Sequence, residues 1–398
     1  MARPAREAGI YVHFPFCLRK CPYCDFASIA RPIEAIAQHA YTQAVLQEAV
    51  LRAGALRERL PFTSVYLGGG TPSLWQPSEV AELVEGLLRT FEMDRHGVEV
   101  TLECNPSSLS EARAREYARS GVTRMSVGVQ STRDAHLVFL GRLHDARSGL
   151  DAVRWALGSG VERVSADMII GLPNQTPEEA AADAVAIASS GVGHVSAYLL
   201  TVEAGTPFGE ARAAGRLREA EEEAAAEAYL AVSDALTACG FEHYEVSSHA
   251  REGQRSVHNM AVWRGGSYVG LGAGAVGLVT DEAGLVRYRN ASDPELYVQA
   301  TTLAQRLGGQ DQGGWVESGE RLDAETRMAE RILSGLRVVE GVDFEELGEE
   351  LGVPGWTARR RRAAAWLGQR GRVEVAGARV RIPRRQWLWE SDTIARLL

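Results

Sequence analysis

The sequence predicts an α/β fold: a (β/α) barrel, open or closed, followed by a smaller C-terminal helical module that resembles a winged helix. Three observations predict it. Short β-rich runs alternate with helical runs at least six times before residue 250, which is the pattern of βα units around a parallel sheet. Polar residues recur at or just past the C-terminal ends of successive strands. Three cysteines, Cys17, Cys21 and Cys24, stand within eight residues on the loop that leaves the first strand.

The elements follow in order. Ile10-Tyr11-Val12-His13-Phe14 alternates and is rich in β-formers, so it reads as a strand. Residues 33–55 read as a helix, and 63–67 as a strand running into Gly68-Gly69-Gly70-Thr71-Pro72-Ser73. Helix 76–90, strand 98–103 and helix 109–120 come next, then strand 123–129 ending in Gln130-Ser131. A helix leads to Gly141-Arg142-Leu143-His144, and 146–158 is helical. Strand 161–170 passes through Asp167 to Gly171-Leu172-Pro173. Helix 177–189, strand 194–200, one long alanine- and glutamate-rich helix over 209–239, and strand 241–247 complete the barrel pattern. A Rossmann sheet is the runner-up. No GxGxxG follows a strand in the dinucleotide position, and Gly270-Leu271-Gly272-Ala273-Gly274 is late and isolated. Residues 311–319 are polar and glycine-rich and read as a linker or insertion. Beyond them, 324–338, 342–351 and 356–368 read as helices, and 373–375 and 380–382 as short strands. The chain thus divides into a barrel domain, 1–308, and a C-terminal helical/winged-helix-like domain, 309–398.

A chain of 398 residues with 45% hydrophobic content can bury cores for about two domains. It carries no run of ~18 apolar residues, and its first residues do not read as a signal peptide, so a cytoplasmic location is expected. The net charge of −9 argues against general nucleic-acid binding. Residues 351–398 nevertheless hold eleven arginines against Glu374, Glu390 and Asp392, a basic tail on an acidic body. Lys20 is the single lysine.

Three closely spaced thiolates suit zinc or an iron–sulfur cluster. A closed zinc site wants a fourth ligand. Cys104 and Cys239 are remote, which leaves His13 or Asp25 to complete such a site. A disulfide runs against an odd cysteine count in a chain without an export signal. On a four-iron cluster, three thiolates leave one iron open to a small molecule. In a barrel the strand ends share one face, so His13, Thr71, Glu103, Gln130 and Asp167 gather with the cysteines on one rim. The triple-glycine turn lets a ligand's ammonium or carboxylate approach the backbone. Glu103 can accept bonds from hydroxyls or an ammonium, and Arg142 can pair with a carboxylate. Gln130 and Asp167 can read polar edges of a second ligand. The blander readings are a tight turn, a surface arginine and a carboxylate capping a loop.

The spacing CxxxCxxC at the end of a first strand resembles the signature of the radical S-adenosylmethionine (SAM) superfamily. The fuller string YVHFPFCLRKCPYCDF resembles its coproporphyrinogen dehydrogenase and heme-chaperone group. GGGTPS, TLECNP, SVGVQS, LGRLH, DMIIGLPNQT, SAYLLTVEAGTP and HYEVSSHA resemble successive blocks of the same group. The resemblance implies a partial TIM barrel with a [4Fe–4S] cluster on Cys17, Cys21 and Cys24. It implies SAM on the open iron, where one electron breaks its C–S bond to give methionine and a 5′-deoxyadenosyl radical. Residue by residue it carries cofactor-binding roles to Tyr11, Tyr23, Gly69, Gly70, Thr71, Glu103, Gln130, Arg142 and Asp167.

Two branches share these blocks. One comprises oxygen-independent coproporphyrinogen III dehydrogenases, which carry a fourth cysteine two residues past the third and a long N-terminal extension. Here Phe26 holds that position, and few residues precede the first strand. Both differences favour the other branch, the heme chaperones, with the dehydrogenase as the alternative and decarboxylation of coproporphyrinogen III expected to be absent. The chaperone branch carries a His-Asn-x-x-Tyr-Trp block associated with heme. This chain reads His258-Asn259-Met260-Ala261-Val262-Trp263, which makes His258 heme-related by resemblance. Val262 replaces the tyrosine, and Val276 stands where relatives carry histidine. The implied partners are heme, recipient hemoproteins and an electron donor, with peripheral membrane contact and a monomer or homodimer both left open. Nucleic acid is not expected, because the helix bearing Arg359 to Arg362 lacks clear base-reading residues.

Overall fold

The computed structural model describes residues 7–56, 60–306 and 314–398. Six strands run parallel, in chain order and side by side: β1 (Ala8–Phe14), β2 (Phe62–Gly69), β3 (Glu99–Cys104), β4 (Arg124–Gln130), β5 (Arg163–Ile170) and β6 (His194–Leu199). The helices between them are α1 (Gln38–Ala55), α2 (Pro77–Thr90), α3 (Glu111–Arg119), α4 (Asp134–Phe139), α5 (Ala146–Leu157) and α6 (Pro177–Ser189). Local sequence sets their starts. Thr176 and Glu179 form a reciprocal cap at the head of α6, with Pro177 at its first turn.

Each parallel strand is two-faced, because successive side chains point to opposite sides. Ile10, Val12, Val65, Leu67, Val100, Leu102, Val127, Ala166 and Val195 are buried in one continuous core. The other face is polar. Tyr11 lies opposite Tyr66, Tyr66 opposite Thr101, Glu103 opposite Ser126, and Asp167 opposite Gly128 and Ser196. The apolar face supplies the stabilisation, about 1.5–3 kcal/mol per fully buried large side chain. The polar face is left for a site.

Past β6 the chain departs from the expected pattern. The single helix expected over 209–239 is two, α7 (Pro207–Ala213) and α8 (Glu222–Ala238). Gly215 takes φ 67°, and the N–H of Arg216 bonds the Ala211 carbonyl at 2.8 Å while that of Gly215 bonds Arg212 at 2.9 Å. This pair of hydrogen bonds around a left-handed glycine terminates a helix. The expected strand 241–247 is a hairpin of β7 (Glu242–Glu245) and β8 (Ser248–Ala250), with β8 antiparallel to β6. After α9 (Val257–Trp263), β9 (Tyr268–Leu271) returns parallel to β1. It is followed by antiparallel β10 (Val276–Asp281), β11 (Gly284–Asn290) and β12 (Val316–Arg321). The expected 311–319 linker therefore ends inside a strand. Residues 311–313 and the 308/309 division lie outside the described residues. The sheet has twelve strands with β12 and β7 at its two ends, so among the described residues the barrel is open.

After α10 (Pro294–Arg306) and β12, the C-terminal part holds α11 (Ala324–Gly335), α12 (Phe344–Leu351), α13 (Ala358–Gly368) and α14 (Glu390–Leu397). With them is a small sheet of Val342–Asp343, Arg379–Arg381 and Glu374–Ala376, in that order. This part docks on the barrel. The Val246 N–H bonds the Arg337 carbonyl, and the Val339 N–H bonds the Tyr244 carbonyl, each at 3.0 Å. Trp387 is fully buried, with its ring 4.6 Å from that of His243. Its arginines face acids across the seam, Arg384 on Glu242 at 3.1 Å among them. No helix of the described residues is long and apolar enough to cross a membrane.

Candidate cluster and SAM site

The cysteine loop follows β1 directly. Cys17 is buried, Cys21 and Cys24 are half-buried, and none forms a disulfide. The Cys24 N–H bonds the Cys21 carbonyl at 3.2 Å, and Lys20 Nζ donates to the Phe26 carbonyl at 2.9 Å, so the loop is folded on itself. All three cysteines line one cavity of about 440 Å³, together with Tyr23, Gly69, Gly70, Thr71, Glu103, Gln130, Arg142 and Asp167. The rim expected from strand ends is therefore one place.

Three thiols on one loop can serve a cluster or a single ion. A tetrahedral zinc holds its thiolates about 3.8 Å apart, given Zn–S bonds of about 2.3 Å. Among the described residues, the group whose ligand atoms all lie within 4.8 Å of one another is His39, Glu79 and Glu82 on the outer helices. The three thiols are not part of that group. His13 is not available as a fourth ligand. Its Nε2 bonds the Ala27 carbonyl at 2.8 Å, and its Nδ1 bonds the Tyr11 hydroxyl at 2.9 Å. Burial pushes the Cys17 thiol above its ordinary range, opposed by the Thr71 hydroxyl donating to its Sγ at 3.4 Å.

The triple glycine is required by close approach. A Cβ on Gly70 would lie 2.7 Å from the Phe16 carbonyl oxygen and 3.0 Å from that of Phe14. The Gly70 and Thr71 N–H groups bond those same carbonyls at 2.7 and 2.9 Å. The turn is thereby bolted to the segment that leads from β1 into the cysteine loop. Gly69 takes φ 112°, which a side chain rarely adopts, and a Cβ there would meet the His13 ring at 2.7 Å.

Glu103, at the end of β3, accepts from the Tyr66 hydroxyl at 2.8 Å and from the Gly69 N–H at 3.2 Å. Burial, reinforced by the nearby Asp167 carboxylate, pushes it up to about 7. Asp167 takes bonds from the Ser126 hydroxyl at 3.1 and 3.2 Å, and burial raises it to about 6. Arg142 donates to the Gly128 carbonyl at 3.2 Å and to Cys21 Sγ at 3.6 Å. Arg19 reaches back to the Arg142 carbonyl at 3.0 Å, locking the two loops together. Gln130 stands at φ 67° beside a register shift in β4. Strain of this kind persists where the surroundings impose it, commonly at sites.

The donor set fits a cluster and SAM. Arg142 Nε and Gln130 Oε1 are buried without a partner among the described residues, and such atoms call for a ligand. Two enclosed carboxylates suit an ammonium and hydroxyls. One guanidinium suits a carboxylate.

Two residues with roles implied by resemblance, Tyr11 toward the cofactors and His258 toward heme, do not line this cavity. Tyr11 is stacked on the cavity-lining Tyr66 with ring centroids 6.1 Å apart. His258, on α9, is 6% exposed, with its Nδ1 bonded to Ser64 Oγ at 2.9 Å and its ring 5.0 Å from that of Tyr66. Neither is among the cavity-lining residues. Conversely, Tyr66, Ser126 and Tyr198 line the cavity and were not singled out from the sequence. Each falls an even number of residues from a polar residue on the same strand, which is the signal that identifies them. Phe26 lines the mouth and is 60% exposed.

The chain is similar to known proteins over most of its length. A family model for the radical SAM superfamily matches residues 11–185, and one for the HemN C-terminal domain matches residues 322–389. The chain is 34% identical to the heme chaperone HemW of Haemophilus influenzae over 301 residues, 74% of this chain and 76% of that one. It is 32% identical to the heme chaperone HemW of Mycobacterium tuberculosis (strain H37Rv) over 396 residues, 99% of this chain and 95% of that one. The fold superposes on coproporphyrinogen III oxidase (HemN) from Escherichia coli with a TM-score of 0.80 at 19% identity, covering 99% of this chain and 91% of that one. That match establishes the radical SAM fold. The identity to the chaperones, sustained over most of both chains, establishes that the chain belongs to the HemW heme-chaperone family of the radical SAM superfamily.

Proposed function

We propose that this protein is a cytoplasmic heme chaperone that binds heme and delivers it to recipient hemoproteins. We propose that it holds a [4Fe–4S] cluster on Cys17, Cys21 and Cys24 and SAM in the rim cavity. The observation that carries this reading is the convergence of the three thiols, Glu103, Arg142 and Asp167 on one cavity in a chain of the HemW family. When bound, the cluster and SAM supply one-electron chemistry at a sulfonium, with the electron coming from a separate donor. The chain's own residues do the rest. Arg142 holds a carboxylate, Glu103 holds an ammonium or hydroxyls, and Gln130 and Asp167 read polar edges. Tyr23 packs with Leu140, Ile169 and Leu172 to keep water from one side.

Heme is the cargo. We retain His258 as heme-related on the family resemblance; with its ring packed on Tyr66, contact with heme requires α9 to move. The opposite end of α9 meets a second cavity, lined by Trp263, Val338 and Arg379 among others, between the barrel and the C-terminal part. We propose the two-part division of the chain near residue 308 on the same basis. Anaerobic titration of the cluster-loaded protein with hemin tests the function. Saturable uptake with a shifted Soret band, and transfer of heme to an apo-hemoprotein, are expected. No saturable uptake would overturn the reading. Formation of harderoporphyrinogen or protoporphyrinogen from coproporphyrinogen III, with SAM and a strong reductant, would replace it with the dehydrogenase.

A further inference from the structure

We propose that Tyr66 is a positioning residue for Glu103, holding its carboxylate in the orientation that receives the cationic end of SAM. The inference rests on the rim cavity being the SAM site. Glu103 is caught at both oxygens: Oε1 by the Tyr66 hydroxyl at 2.8 Å and Oε2 by the Gly69 N–H at 3.2 Å. With one fixed donor on each oxygen, the carboxylate plane is set and its remaining lone pairs are left for a ligand. The Gly69 donor is backbone. The phenol is the part of the clamp that a side-chain change can remove.

The Tyr66 ring is itself held from several sides. It stacks on Tyr11 with centroids 6.1 Å apart, and the His258 ring packs 5.0 Å away, tied to Ser64 on the same strand. Gly68 makes the space, since a Cβ there would lie 2.9 Å from Tyr66 Cε1 and 3.0 Å from the Tyr11 ring. The first glycine of the turn therefore serves the tyrosine, and the second serves Glu103 through its N–H. Burial and the neighbouring Glu103 charge hold the phenol well above its ordinary range, so it stays a hydrogen-bond donor across the working pH range. A carboxylate held by such a donor is favoured in its charged form.

A ring that only fills space is served equally well by phenylalanine, which separates the two roles. The test titrates anaerobically reconstituted, full-length protein with SAM by calorimetry between pH 5.5 and 7.5, for wild type, Tyr66→Phe and Glu103→Gln. Iron content and circular dichroism serve as controls on cluster and fold. Wild-type affinity should rise with pH as Glu103 ionises, and Glu103→Gln should flatten the profile. Tyr66→Phe should keep its iron, bind SAM about tenfold more weakly, the scale of one hydrogen bond to a charged group, and move the midpoint to higher pH. Wild-type affinity and midpoint in Tyr66→Phe would overturn the proposal alone. Wild-type protein that takes up no SAM would overturn the site assignment and the proposal with it.

Discussion

Replacing Glu103 with glutamine should stabilise the cluster-free protein at alkaline pH and leave it unchanged at acid pH. The enclosed carboxylate is raised from 4.5 to about 7. In the unfolded chain it ionises near its ordinary value, so the folded state binds the proton more tightly. Folding is therefore favoured at low pH, and that advantage is lost as pH rises from 4.5 through 7. Linkage makes the ionised carboxylate cost about 3 kcal/mol at pH 8 and under about 1 kcal/mol at pH 5. Glutamine removes that cost. Its amide oxygen can still accept from Tyr66, but its NH2 meets the Gly69 N–H, and one lost bond costs about 1 kcal/mol. The net is a gain of about 2 kcal/mol at pH 8 and about zero at pH 5. Calorimetric melting at the two pH values should show a rise of roughly 2–4 °C at pH 8 only. Equal melting shifts at both pH values, or destabilisation at pH 8, would refute the reasoning.

Further outcomes follow from the same geometry. Arg142→Ala should weaken SAM binding on the cluster-loaded protein roughly tenfold to a hundredfold, the scale of a charged hydrogen-bonded pair, with iron content unchanged. Calorimetry beside iron analysis checks it. Gly70→Ala drives a Cβ to 2.7 Å from the Phe16 carbonyl oxygen. It should cost more than about 2 kcal/mol and lower the iron recovered on reconstitution, because the displaced Phe16 carbonyl directly precedes Cys17. Replacing Cys17, Cys21 and Cys24 together with alanine should abolish the brown colour and the roughly four irons per chain expected of reconstituted protein. A colourless wild-type protein with one zinc would remove the cluster assignment.

Much of the architecture was legible because it is written in alternation. Six strand–helix repeats could be counted before residue 250, and the ends of β1 to β5 placed the cysteines, Thr71, Glu103, Gln130 and Asp167 on one cavity. The errors have local causes. The helix expected over 209–239 overlooked Gly215, whose left-handed backbone ends α7. The strand expected over 241–247 overlooked the Val246–Ser247 turn, because nothing in two such residues marks a reversal. Glycines near residue 319 suggested a linker, yet Gly319 sits in an edge strand where side chains are not needed for pairing. Tyr66 went unnoticed because tyrosine is a common strand residue. Its partner Glu103 lies 37 positions away, and only folding shows them together. Resemblance alone gives Tyr11 a cofactor-binding role and His258 a heme-related one, and neither side chain lines the rim cavity.

The two backbone bonds between residues 244–246 and 337–339 make the C-terminal part a guard for the last strand of the sheet. A terminal strand with free N–H and C=O groups recruits strands from other molecules. Here Tyr244 and Val246 are already paired within the chain, and Trp387 seals the hairpin behind them. A chain cut before α11 would lose that cover and present β7 to its neighbours. Such a truncation would yield a sheet ready to propagate between molecules, a poor property for any protein that handles a greasy, planar cargo in a crowded cell.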